Sequence, residues 1–308
     1  MALRKQLLNS FLEKKASPDF WTNLAVFILL GIAYWPITQW FAATTHDQSR
    51  LFHALIVLTL ATAALVKFGG VEIKEPLSLN ESAKRALVLC VSLIGLQYVA
   101  RAIAPDAWQG AVSLIAIPAY CCGLAAFVRF IFGPGVEQLT RAAAGTLCTF
   151  LSLSILMQPL DWPLRAFAGK CSASALTFIG KQVELGLFAH EGVPPKLILL
   201  VNQQHPFHVA SECNGFGVIL TSLLIALLLS LHRGTGMMST ALRLLAGLAI
   251  GFAFNVLRIV IIVLMAPSFP EHYMLMHEIV GGITYWGCLI LVWIALQGPT
   301  REEPTRRT

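Results

Sequence analysis

The chain has 308 residues, of which 56% are hydrophobic and only 12% charged. Soluble domains carry about 25% charged residues, so the composition excludes an ordinary water-soluble enzyme, a disordered chain and a nucleic-acid-binding tail protein. The net charge of +6 is spread over Lys and Arg residues that flank apolar runs, the arrangement that orients membrane helices.

A basic N-terminal stretch, 1–19, carries Arg4, Lys5, Lys14 and Lys15. The apolar run that follows, 20–41, is longer than the roughly 7–15 residues of a signal-peptide core, so it reads as an uncleaved first span. A hydrocarbon core of about 30 Å takes about 20 apolar residues per helix. On that rule the chain is an all-α polytopic membrane protein with eight spans, at 20–41, 51–68, 86–104, 108–131, 142–158, 214–231, 241–265 and 279–297. The second and fifth are short, and Pro118 kinks the fourth. The whole of 1–308 reads as one integral-membrane domain: cytoplasmic N-terminus 1–19, five spans over 20–158, an insert at 159–212, three spans over 213–297, and a cytoplasmic tail at 298–308.

Eight spans place both termini on one side. Of the 22 Lys and Arg residues, fifteen lie in connections or span ends on that side and six on the other, with Arg258 left over within a span. The positive-inside rule therefore makes the termini cytoplasmic and the insert extracytoplasmic. Within the insert, Leu164, Phe167, Ala168, Cys171, Ala175, Phe178, Ile179 and Val183 recur at helical spacing and predict an amphipathic helix on the membrane surface. Beyond Gly192 and the Pro194–Pro195 break, 196–201 predicts a short strand, and 203–208 a loop that contains His205 and His208. A structured insert of this length is more often functional than a passive linker.

Seven cysteines form no CxxC pair and no zinc spacing. Cys90, Cys121, Cys122, Cys148 and Cys288 lie in apolar runs, where a thiol acts as a small hydrophobe. Cys171 and Cys213 lie in the polar connection, and no disulfide framework is implied. His277-Glu-Ile-Val-Gly281 lacks the second histidine of HExxH, and His205 with His208 lacks a third ligand. Neither a metal nor a cofactor is expected.

Three polar residues then reach one depth. Cys213, with Glu212, Asn214 and Gly215, stands where the insert enters the sixth span. Arg258 lies about seven residues from the outer end of the seventh span, on the order of 10 Å below that boundary. His277 and Glu278 stand where the eighth span begins. Each has two readings. Cys213 is either an inert thiol or a nucleophile whose thiolate is favoured by a helix N-terminus, with Gly215 admitting a substrate backbone and the first-turn N–H groups binding an oxyanion. His277 is either an interfacial hydrogen-bonding group or a general acid/base. Arg258 either pairs with Glu212, Glu278 or terminal carbonyls of a neighbouring helix, or stabilises an oxyanion. Asn255, one turn earlier, could orient it.

Glu212-Cys213-Asn214-Gly215, Asn255-Val-Leu-Arg258-Ile and His277-Glu-Ile-Val-Gly281 resemble the Cys, Arg and His motifs of the exosortase/archaeosortase family, polytopic membrane transpeptidases. Order and spacing match from about 164 to 293; the first five spans match only in being helical. The resemblance implies cleavage of exported proteins near a C-terminal signal made of a short Pro-containing motif, a transmembrane helix and a basic tail. It implies Cys213 as the thioester-forming nucleophile, His277 as acid/base, Arg258 as oxyanion stabiliser, and transfer to a lipid or glycan acceptor at the cell surface. The implied partners are those proteins, the acceptor and membrane lipids, with no nucleic acid. Many exosortases have Cys-Ser-Gly where this chain has Cys213-Asn-Gly215, a departure that bears on subtype and sorting motif. Two other classes compete: a small-solute transporter or channel with Arg258 as an intramembrane charge, and a non-catalytic assembly protein in envelope polysaccharide export.

Overall fold

The computed structural model describes residues 2–47, 49–69, 73–156, 161–190, 193–202, 205–208 and 215–297. They are mostly helical and group into two compact units, Met1–Ile155 with Ser230–Thr235, and Leu156–Leu229 with Gly236–Thr308.

The first unit contains α1 (Ala2–Lys14), α2 (Pro18–Ala33), α3 (Trp35–Asp47), α4 (Ser49–Gly69), α5 (Glu81–Ile103), a 3-10 turn at Asp106–Trp108, α6 (Gln109–Ser113), α7 (Ala116–Phe132) and α8 (Glu137–Leu156). Its core joins Phe20 and Phe27 of α2, Ala86 of α5, and Ala126 and Phe130 of α7. The Asn80 side chain caps α5 by accepting from the Ala83 N–H at 2.9 Å, which satisfies one of the N–H groups that every helix start leaves over. Arg129, near the end of α7, is only 7% exposed. Its guanidinium donates to Thr140 Oγ1 at 2.7 Å, to the Ser82 carbonyl at 3.1 Å and to the Glu137 carbonyl at 3.3 Å. A buried arginine is tolerable only with such a set of acceptors, and these tie α5, α7 and α8 together. Gly133 then ends α7 at φ +81°, where a Cβ would fall 1.6 Å from the Lys74 carbonyl oxygen. Gly133→Ala therefore forces backbone apart as well as straining its own φ. It is expected to lower the melting temperature of the detergent-solubilised protein, read by scanning fluorimetry, by several degrees more than Gly95→Ala, whose Cβ would meet nothing within 4 Å.

The second unit contains α9 (Asp161–Phe178), β1 (Val183–His190), β2 (Val193–Val201), β3 (His205–His208), α10 (Phe216–Arg233, whose last turn belongs to the first unit), α11 (Met237–Met265), a 3-10 turn at Ala266–Ser268, and α12 (Tyr273–Gln297). The strands form an antiparallel meander in the order β1-β2-β3, with Leu185 opposite Leu199 and Leu199 opposite Phe207. Alternate residues of β2, Leu197, Leu199 and Val201, enter a core with Ala168 and Leu176 of α9 and Ile259 and Val263 of α11. The sheet thus lies against the C-terminal third of α11.

Three expectations bear on the fold. Among the described residues, five helices are long and apolar enough to cross a membrane: Glu81–Ile103, Asp106–Phe132, Phe216–Arg233, Met237–Ser268 and Tyr273–Leu296. A sixth arises if Gln6–Lys14 and Pro18–Ala33, bent by 112°, count as one span. The described residues thus carry five or six candidate spans against the eight expected. The run 20–41 is divided between α2 and α3 just before Pro36, which lacks the N–H a continuous helix needs. In α4 the described apolar helix is Leu51–Lys67, and the expected fifth span, 142–158, runs past the end of α8 at Leu156.

Second, the insert's helix stops at Phe178. The Gly180 N–H returns to the Thr177 carbonyl and the Lys181 N–H to the Leu176 carbonyl, with Gly180 at φ +84°, a glycine-terminated helix end. Val183 therefore begins β1 instead of extending the helix. The buried face of α9 is Ala168, Ser172 and Leu176, whereas Phe167, Phe178 and Ile179 are exposed. Close approach selects the small residues: a Cβ on Gly169 would meet Leu197 Cδ2 at 2.7 Å. Third, His205 and His208 belong to strand β3, opposite Val201 and Ile198, and not to a loop. The predicted strand 196–201 does fall within β2.

Candidate functional site

The site is built on α11, which packs between α10 and α12 through different residues. Gly247, Gly251 and Asn255 recur every fourth residue and so form one stripe. A Cβ on Gly247 would lie 3.0 Å from Ala226 Cβ and from the Ser222 carbonyl, and one on Gly251 3.0 Å from Ile219 Cα. The absence of side chains there lets the backbones of α10 and α11 approach closely, as small-residue stripes do in membranes. The stripe ends at Asn255, 1% exposed. Its carboxamide fills the place beside Gly215, where a Cβ would be 2.4 Å from Asn255 Cγ and 2.5 Å from Nδ2. Gly215 is buried and sits at φ +74°, and its carbonyl accepts the Ile219 N–H at 2.9 Å, which makes it the residue that starts α10.

Arg258 leaves α11 one turn later and turns to α12. A Cβ on Gly281 would stand 3.0 Å from Nη2 of Arg258 and 3.3 Å from both Cζ and Nε, so the guanidinium occupies the notch left by that glycine. Arg258 is half-buried. It stands seven residues before the end of α11 at Met265, the spacing expected from the sequence, about 10 Å along the axis. The same face of α11 carries Phe254, which reaches Gly287. Deeper in the bundle α10 and α12 are joined by buried polar pairs, Thr221 Oγ1 with Tyr285 Oη at 3.2 Å and Ser222 Oγ with Cys288 Sγ at 3.3 Å.

His277 lies on α12 one turn before Gly281. Because α12 starts at Tyr273, His277 and Glu278 stand inside its first turns and not ahead of the span; the apolar run Tyr273-Met-Leu-Met276 was the signal for the earlier start. His277 is half-buried, with its ring centroid 6.0 Å from that of Tyr273, and Glu278 is exposed. Its neighbours Met276 and Val280 pack with Ile262 of α11 and Ala266 of the 3-10 turn that follows it, and Phe207 of β3 packs against that cluster. The sheet thereby reaches the ends of α11 and α12 that frame His277.

Among the expected site residues, the structure brings together Gly215 with Asn255, and it sets Arg258 against Gly281, four residues after His277 on α12. Cys213, Glu212 and Asn214 lie outside the described residues. Among the described residues, no three His, Cys, Asp or Glu side chains come together as a metal site. Gly281 as the seat of Arg258, Gly247 and Gly251 as the α10 contact, and Tyr273 beside His277 were not singled out for these roles from sequence. Glycines four apart in an apolar run, and a glycine four residues after His277, were the available signals.

No curated protein matches the chain, and no solved structure matches it. A family model described as Transmembrane exosortase (Exosortase_EpsH) matches residues 40–294. That match begins within α3 and ends within α12, so it takes in α4 to α8 of the first unit as well as the segments that carry Gly215, Asn255, Arg258 and His277. The chain, with its apolar helices, is an integral membrane protein and belongs to the transmembrane exosortase family.

Proposed function

We propose that the protein is a membrane cysteine transpeptidase that cleaves exported proteins at a C-terminal sorting signal and passes them to a lipid or glycan acceptor at the cell surface. Cys213 attacks the scissile carbonyl, forming a thioester as the C–N bond breaks. His277 takes the thiol proton and returns it to the leaving amine. Arg258 stabilises the oxyanion of the tetrahedral intermediate. The acceptor nucleophile then displaces the thiolate. Glu212, Asn214, Gly215, Asn255 and Glu278 support these groups. The termini are cytoplasmic and the site faces the extracytoplasmic side.

The observation that carries this reading is the seating of the Arg258 guanidinium against Gly281, one turn from His277, while Asn255, one turn from Arg258, packs against Gly215. An arginine half-buried in an apolar helix is costly, and a role in the reaction gives that cost a purpose. The family match supports the reaction class.

A covalent trap tests the proposal. Purified protein in proteoliposomes, given exported proteins from its own host that end in a motif, a helix and a basic tail, is expected to form an adduct on Cys213. Neutral hydroxylamine should release it, as it does a thioester. Cleavage with no adduct at Cys213, or flux of a solute that is indifferent to thiol alkylation, overturns the proposal.

A further inference from the structure

In the first unit α1 meets α2 at a bend of 112°, and a groove of about 470 Å³ opens at that elbow. α1 contributes Leu7, Leu8 and Phe11 to it, α2 contributes Phe20, and α7 contributes Phe127 and Phe130; every lining side chain is apolar. Phe20 and Phe130 are buried and stacked with centroids 6.2 Å apart, and Phe11 meets Phe20 edge-on at 5.8 Å. Leu8 and Phe11 nonetheless stay 55% and 37% exposed. The groove has a firm aromatic base and an open rim on α1.

Polar contacts hold that rim in place. Gln6 Nε2 donates to the Ile73 carbonyl at 3.0 Å, and Lys14 Nζ donates to the Pro76 carbonyl at 2.8 Å. The next residue, Leu77, lines the groove and donates its N–H to the Ile131 carbonyl at 3.2 Å. α1 is thus tied down near both ends, over a preformed groove rather than collapsed into it.

The chemistry changes along α1. Residues 7, 8, 11, 14 and 15 share one stripe of the helix, and the Lys15 N–H returns to the Phe11 carbonyl at 2.9 Å, which carries the stripe through the elbow. The stripe is apolar at Leu7, Leu8 and Phe11 and cationic at Lys14 and Lys15. Glu13 is turned about 200° round the helix from Phe11. Over 2–19 Arg4, Lys5, Lys14 and Lys15 outnumber Glu13 and Asp19. Exposed Trp21 donates its indole N–H to the Lys15 carbonyl at 2.8 Å, in keeping with an aromatic residue at a membrane–water interface.

Apolar lining gains contacts only from atoms set against it, and in an integral membrane protein the apolar matter that reaches an open groove is lipid. A partner helix would cover the apolar stretch but give the adjacent lysines no counterpart. An acyl chain joined to a phosphate matches both parts in their order. The Lys14 ammonium has three donors, of which Pro76 takes one. We infer that the groove at the elbow of α1 and α2 is a site for one anionic phospholipid, with an acyl chain against Phe11, Phe20 and Phe130 and the phosphate at Lys14 and Lys15. The site is separate from the proposed transpeptidase chemistry, and its test does not read activity.

Full-length protein in phosphatidylcholine liposomes is given a trace of phosphatidylglycerol with a diazirine in one acyl chain, or of phosphatidylcholine with the same chains. Irradiation and peptide-resolved mass spectrometry then locate the label. Residues 7–11 and 127–131 are expected to be labelled about threefold or more in favour of phosphatidylglycerol. The exposed Val88–Leu89 face of α5 should be labelled alike by both lipids. Lys14→Gln with Lys15→Gln should bring the groove's ratio to about one, and Arg101→Gln, at the far end of α5, should leave it unchanged. Lys15→Gln alone, at an exposed position, should lower the ratio in part and decides should the double variant not fold. Leu8→Glu, on the open rim, should reduce groove labelling by both lipids. Equal labelling of the groove by the two lipids in the parent protein overturns the inference, as does a ratio that the lysine variants leave unmoved. A groove that neither lipid labels is covered by protein, which overturns it as well.

Discussion

Cys213→Ala is expected to leave sorting-signal proteins at full length in the membrane, with processing reduced by about 10³-fold or more. Loss of a nucleophile removes the covalent route altogether and leaves only what binding and oxyanion stabilisation give. Cys213→Ser should be nearly as inactive. A serine hydroxyl is hardly ionised near neutral pH, so it cannot supply the anionic nucleophile that a thiol can. The measurement is the ratio of full-length to trimmed substrate in cells expressing each variant at equal level. Cys171→Ala is the matched control, because Cys171 lies in α9, is half-buried and belongs to no site motif. Normal trimming by Cys213→Ala would remove the transpeptidase reading, and loss of trimming by Cys171→Ala would point to expression or folding.

How far the sequence carried can be judged from α11. An arginine in Gly251-Phe-Ala-Phe-Asn-Val-Leu-Arg258 announces itself because charge is scarce in this chain, and its distance from the helix end was read correctly. The packing adds what the spacing does not carry: Asn255 lies against Gly215 and Arg258 against Gly281. The glycines were visible as letters; that Gly281 holds a guanidinium and Gly215 a carboxamide depends on the register of three helices.

The insert teaches a similar lesson. Val183, Leu185 and Leu187 alternate with Glu184 and Gly186, a period of two that marks a strand, yet Val183 also continued the helical series begun at Leu164. Gly180 decides between them, since a left-handed residue ends the helix before Val183. The first expected span has a comparable origin. Length and apolarity register 20–41 as one run, whereas the break before Pro36 is a matter of backbone geometry. Arg129 was counted as a flanking charge; burial against Thr140, Ser82 and Glu137 makes it a structural tie at the foot of α7.

Arg258→Ala is expected to lower the rate of trimming by about 10²–10³-fold, the usual effect of deleting an oxyanion donor. Arg258→Lys tests more than charge. Its ammonium keeps the charge but not the planar fork that fits between α11 and α12, so it should recover less than about a tenth of the parent rate. Gly281 offers an independent approach to the same group. In Gly281→Ala the new methyl would stand 3.0 Å from Nη2, and a few tenths of an ångström of movement at the end of a flexible side chain relieves it, so a loss of about tenfold or less is expected. Gly281→Leu cannot be relieved in that way and must turn the guanidinium out of its notch, with an expected loss approaching that of Arg258→Ala. Once Arg258 is gone, Gly281→Leu has nothing left to displace, so the double variant should be no slower than Arg258→Ala alone. Losses that multiply would mean that Gly281 acts on the packing of α12 rather than through Arg258. Single-turnover rates on a purified substrate, with variant folding checked by thermal melting, distinguish the two.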